Sequence, residues 1–181
     1  AAAIADRLFM TLKRGRFDFP EMAEGIGKLA AQAKMVRLPL DQMLAVVATI
    51  TRTGVPVDQT FTAVQNMLKA FIKSSGEAKE AARRFGFELS ATTIQSEGFL
   101  GILKKLQQQG ARPEDIAKIF PRIRAIRGVA AALQDVKGME QGMGLLAKSA
   151  GKADEAFEKM HKTRYFDRMK QGIIAVSRAI G

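Results

Sequence analysis

The sequence predicts an all-α fold, a bundle of short antiparallel helices. Three observations carry that prediction. Apolar residues recur at helical spacing in segment after segment, most clearly at Phe61, Val64, Met67, Leu68, Phe71 and Ile72. Glycine stops and proline, serine or aspartate restarts separate these segments, as in the break around Gly54 and Pro56. No pair of alternating segments is long enough to build a sheet. One stretch, Phe87 to Gly98, lacks a clean helical period and reads as an irregular loop or a short extended ribbon.

Taken in order, Ala1 to Lys13 forms a short helix with Ile4, Leu8 and Leu12 in line, broken at Gly15. Asp18 and Glu21 then stand three apart, the spacing of a reciprocal capping box, with Pro20 in the first turn. Met22, Ile26, Leu29, Ala30 and Ala33 give that helix its stripe. Gly25 and Gly27 weaken it and suit close helix packing. Met35 to Leu38 reads as a turn, with Met35 as its cap. Pro39 and Asp41 open the next helix, whose set is Leu40, Met43, Leu44, Val46, Val47 and Ile50. No charge falls between Asp41 and Arg52, which marks this as the central buried helix. The helices on either side of Gly54 are close enough in sequence to pack as a hairpin. Met43 and Met67 read as core filler.

SSGE at Ser74 restarts the chain into a small helix carrying Ala78, Ala81, Ala82 and Phe85, ended by Gly86. Gly98 precedes a compact helix of Phe99, Ile102, Leu103 and Leu106. Arg112 to Asp115 starts another, and Pro121 splits it before Ile123, Ile126, Val129 and Leu133 resume the stripe. Residues 1–137 are expected to form the compact helical core. Residues 138–181 are expected to form a glycine-containing linker and a C-terminal amphipathic helix, with Tyr165, Met169, Ile173, Val176 and Ile180 on one face, packing on the core or between chains.

Composition excludes much chemistry. The chain has 181 residues, enough to bury a real core, and no cysteine, which rules out disulfides and thiolate nucleophiles. Its one histidine, His161, has no cysteine and no second histidine with which to share a metal, and it does not stand in a setting that suits a serine triad. Gly25-Ile26-Gly27 follows no strand and lacks a third glycine, so it is no nucleotide fingerprint. No cofactor is expected. The opening AAAIADR has no initiating methionine and reads as an internal fragment of something longer. No apolar run is long enough to span a membrane.

The formal net charge of +11 points to anionic surroundings. Basic residues cluster at Lys13, Arg14 and Arg16, at Lys118, Arg122, Arg124 and Arg127, and at Lys159, Lys162, Arg164, Arg168 and Lys170. These are read first as solvated faces or contacts to an acidic protein surface. Direct nucleic-acid contact is the second reading, without the aromatic interleaving that base stacking needs.

The order of elements resembles the conserved region of phage tail tape measure proteins, the TP901-type minor tail protein family. The segments that carry the likeness are MVRLPLDQMLAVVATITRTGVPVDQTFTAVQNMLKAF, KSSGEAKEAARRFGFEL, EGFLGILKKL, IAKIFPRIRAIRGVAAAL and the closing TRYFDRMKQGIIAVSRAIG. Gly54 to Pro56, Gly86, Gly98 and Phe120 match the family's turns and helix breaks. Arg37 stands where that family commonly has glycine, and Pro121 stands where glycine commonly follows the phenylalanine. Both departures bear on local turn geometry. The resemblance implies a non-enzymatic structural protein lying in the tail tube lumen of a phage or prophage-derived tail, made in the bacterial host cytoplasm. Such a protein sets tail length, scaffolds assembly and assists genome delivery. The implied partners are tail tube, tail tip and tail assembly chaperone proteins, a threefold arrangement of its own copies, and transient contact with DNA or the host membrane. The alternatives are a helical nucleic-acid-binding module and, behind it, a cell-wall hydrolase domain using paired carboxylates.

Overall fold

A computed structural model describes residues 2–148 and Ile174. Among the described residues the chain forms nine helices and no strand: α1 (Ala2–Arg14), α2 (Phe19–Met35), α3 (Leu40–Arg52), α4 (Val57–Ile72), α5 (Gly76–Arg84), α6 (Ala91–Gln108), α7 (Pro113–Ile119), α8 (Ile123–Leu133) and α9 (Val136–Ala147). None is long and apolar enough to cross a membrane.

Helix starts follow the local chemistry. The Asp18 carboxylate accepts the Glu21 N–H at 2.9 Å, and the Glu21 carboxylate accepts the Asp18 N–H at 2.9 Å, completing the box at α2. Ser75 accepts from the Ala78 N–H and Ser90 from the Thr93 N–H, both at 3.1 Å. Proline 56 is the residue just before α4 rather than in its first turn. At the end of α2 the Leu38 N–H reaches back to the Ala33 carbonyl at 3.0 Å, and Arg37 takes φ +51°. This is the helix-ending motif that glycine usually supplies, and Arg37 is the non-glycine residue held there.

Two helices are central. Every residue from Met43 to Thr51 of α3 is buried. Helix α3 packs on α1 and α9, and also touches α4, α6 and α8. Helix α4 is held between α2 and α8, and these contacts are more extensive than those with α3, so the expected α3–α4 hairpin is a minor packing. Close approach is built from small residues. A Cβ on Gly25 would lie 2.1 Å from the Phe61 ring, and one on Gly128 would lie 2.8 Å from the Ala63 Cβ. Gly27, by contrast, faces open space and packs against nothing. Met43 and Met67 fill the core, whereas Met35 is 64% exposed and covers nothing.

The expected irregular segment at 87–98 is corrected by the structure. Only the Phe87–Leu89 stretch leading to Ser90 lies outside helix, with Phe87 and Leu89 buried. Helix α6 begins at Ala91 and runs on through a break at Gly98, where φ is +65° and ψ is 178°. That conformation is essentially restricted to glycine. It brings the Gln42 carboxamide to within 1.6 Å of where a Gly98 Cβ would stand. Residues 91–97 hide their helix because Ile94 is their one fully buried side chain, too little apolar signal for a period.

The expected boundary at 137/138 falls inside α9. Residues 138–147 are helix, with Met139 and Leu146 buried against the rest of the molecule. Glycines 138 and 142 sit within that helix rather than in a linker. The C-terminal face of Tyr165, Met169, Ile173, Val176 and Ile180 lies outside the described residues.

Candidate functional site

The basic cluster after Pro113 is divided by the fold. Phe120 leaves the helical conformation, with φ −120° and ψ 82°, and Pro121 separates α7 from α8. Lys118, Arg122, Arg124 and Arg127 are all exposed, and none makes an ion pair or side-chain hydrogen bond among the described residues. The buried face of α8 is Ala125, Gly128, Val129 and Ala132. At 100° per residue Arg127 falls on the side of α8 opposite that face and projects away from the core, with Arg124 on the flank. Arg122, which precedes the helix, instead borders a groove. Lys162, Arg164 and Arg168 lie outside the described residues.

That groove, about 290 Å³, runs where the end of α4 and the start of α5 meet the α7–α8 junction. Its cations are Lys69, Lys73 and Arg122, and no acidic residue lines it. Lys69 donates to the Gln65 side-chain carbonyl at 3.3 Å, a neutral partner. Lys73 and Arg122 have no counter-charge among the described residues. The floor is apolar, built from Ile72, Phe120 and Pro121. Below it Phe71 stacks between Phe120 and Phe99, with centroid distances of 6.1 and 6.3 Å. This aromatic trio fixes the floor and the α7–α8 break together.

Lys69 and Lys73 are residues that sequence reasoning missed. They stand four apart at the end of α4, a spacing that puts both on one side of the chain. What the sequence does not announce is that α8 begins beside them.

A second and larger cleft, about 520 Å³, lies between the start of α2 and the α3–α4 turn at Gly54 to Pro56. Charges of both signs line it, with Arg16 and Lys28 alongside Glu21, Glu24 and Asp58. With three acids against two cations, it does not select for an anionic ligand. Among the described residues no group of three or more His, Asp or Glu stands ready to hold a metal ion.

A third charged cluster fastens α9. Arg52 pairs with Asp135, whose other oxygen accepts the Gly138 N–H at 2.9 Å, and Arg14 donates to the Gly138 carbonyl at 3.2 Å. Burial, reinforced by the nearby Arg52, lowers the Arg14 guanidinium from its ordinary value, and Asp135 partly offsets this. The arrangement is a helix cap with two cations on it, and it positions a helix rather than a ligand.

Residues 1–163 match the family model described as phage-related minor tail protein. The chain belongs to that family. No curated protein and no solved structure matches it. In this minor tail protein, the glycines at 54, 86 and 98 all take positive φ, at +95°, +76° and +65°, and with Pro121 they mark helix ends and breaks.

Proposed function

We propose that this chain is a region of a tape measure protein: a structural component that lies in the tail lumen, sets tail length, scaffolds assembly and assists genome delivery. The match to the minor tail family over residues 1–163 carries this reading. The ordered run of segments from Met35 to Leu133, in the sequence pattern of tape measure proteins, supports it. Its partners in this reading are the tail tube, tail tip and assembly chaperone proteins, with a threefold set of copies in the tail. It acts by packing and not by catalysis.

The test is made in the phage. Duplicating the coding region for this chain in frame is expected to lengthen tails measured in electron micrographs. Tails of unchanged length would overturn the length-setting role while leaving tail membership intact.

Lys118, Arg124 and Arg127, exposed and without an ion pair among the described residues, support a second reading, direct contact with nucleic acid. It requires duplex binding that weakens steeply with salt and drops when these three are neutralised.

A further inference from the structure

We propose that the groove between α4, α5 and the α7–α8 junction is a docking site for an acidic segment of another protein, one that carries carboxylates around an apolar anchor. The proposal stands on the groove itself, whether or not the chain sets tail length.

Charge complementarity is the first argument. Lys69, Lys73 and Arg122 border the groove, no acid lines it, and none of the three has a carboxylate partner among the described residues. Some cations elsewhere pair with acids, as in Arg7–Asp41 and Lys105–Glu97, and others do not; what sets the groove apart is that three converge on one cavity whose described lining carries no acid. The chain from Ala117 to Gln134 contains four cations and no acid, so no neighbour on α8 neutralises the rim.

The apolar floor decides the class of partner. A nucleic-acid duplex presents phosphates along its ridges and keeps its base faces stacked inside, so it has little to seat on Ile72, Phe120 and Pro121. A volume of about 290 Å³ takes one or two side chains rather than a backbone with its sugars. Peptide segments commonly bind in this way, with an apolar side chain seated in a pocket and charges on the rim supplying steering and register.

The experiment uses the full chain and a fluorescein-labelled peptide of alternating Glu and Leu, read by anisotropy at low salt. Replacing Lys69, Lys73 and Arg122 with Gln is expected to weaken binding about tenfold or more. Replacing Lys13, Lys137 and Lys148 with Gln removes the same charge at positions outside the groove lining and is expected to change binding less than about twofold. Lys69→Arg with Lys73→Arg keeps the charge and is expected to preserve binding. A peptide of Glu alone is expected to bind distinctly more weakly than the Glu–Leu peptide. Circular dichroism melts of each variant show that it is folded. Equal losses in the two triple variants, or equal binding of the two peptides, would overturn the proposal. A DNA duplex that displaces the Glu–Leu peptide from the groove and outbinds it would overturn it in favour of nucleic acid.

Discussion

The seam between α4 and α8 and the seam between α3 and α9 join helices of similar length to the two central helices, yet they are made of different material. At α4–α8 the contact is close and apolar. Gly128 lets the helices approach until its missing Cβ would sit 2.8 Å from Ala63 and 3.4 Å from the Met67 sulfur, and Val129 and Ala132 are fully buried. At α3–α9 the apolar contribution of Met139 and Leu146 is supplemented by charge: Arg52 on Asp135, Arg14 on the Gly138 carbonyl, and Lys104 of α6 on Glu140 at 2.5 Å. The first seam depends on shape and is indifferent to salt. The second depends partly on half-exposed ion pairs, which salt screens. Of the two seams, the one that holds α9 is therefore the one expected to weaken as salt rises.

The largest effect is expected in the aromatic trio under the first seam. Phe99→Ala removes a ring that is 1% exposed and is expected to cost about 3–5 kcal/mol, read from urea denaturation. Next comes Gly128→Val, which forces α4 and α8 apart. It is expected to cost about 1–3 kcal/mol, with the loss spread over both helices in hydrogen exchange. Asp135→Ala removes a helix cap and the anion between Arg52 and Arg14. About 1–2 kcal/mol is expected, concentrated in α9. Lys104→Ala breaks only an exposed pair and is expected to cost under about 1 kcal/mol. Smallest and opposite in sign is Arg37→Gly. Relieving a left-handed residue at the end of α2 is expected to raise stability by about 0.5–1 kcal/mol in the same titration, net of the looser unfolded chain.

Helix starts and stops are written plainly in this chain, because each rests on two or three neighbouring residues. Asp18 with Glu21, Ser75, Gly86 and Pro121 announce boundaries that the structure places where they stand. The charge-free run from Gln42 to Thr51 announces the central helix, because no side chain in it carries a charge that has to stay in water. Two things hide. The first turns of α6 carry Thr, Gln, Ser and Glu around a lone buried Ile94, so periodicity has nothing to grip, and the Gly98 break looks like a helix start. Helix α9 hides behind its glycines, because part of what holds it, Arg52 on Asp135 and Arg14 on the Gly138 carbonyl, lies far away in sequence. The groove is half visible. Arg122 belongs to an evident basic run, but Lys69 and Lys73 join it only through the packing of α4 against α8, which no local pattern encodes.

Hydrogen exchange across the described helices, at low salt and again near 1 M NaCl, tests the difference between the two seams most directly. The account predicts that amides from Met139 to Leu146 lose protection as salt rises, while those of α4 and α8 hold theirs. Protection that falls equally in all three helices, or stays equal in all three, would contradict it.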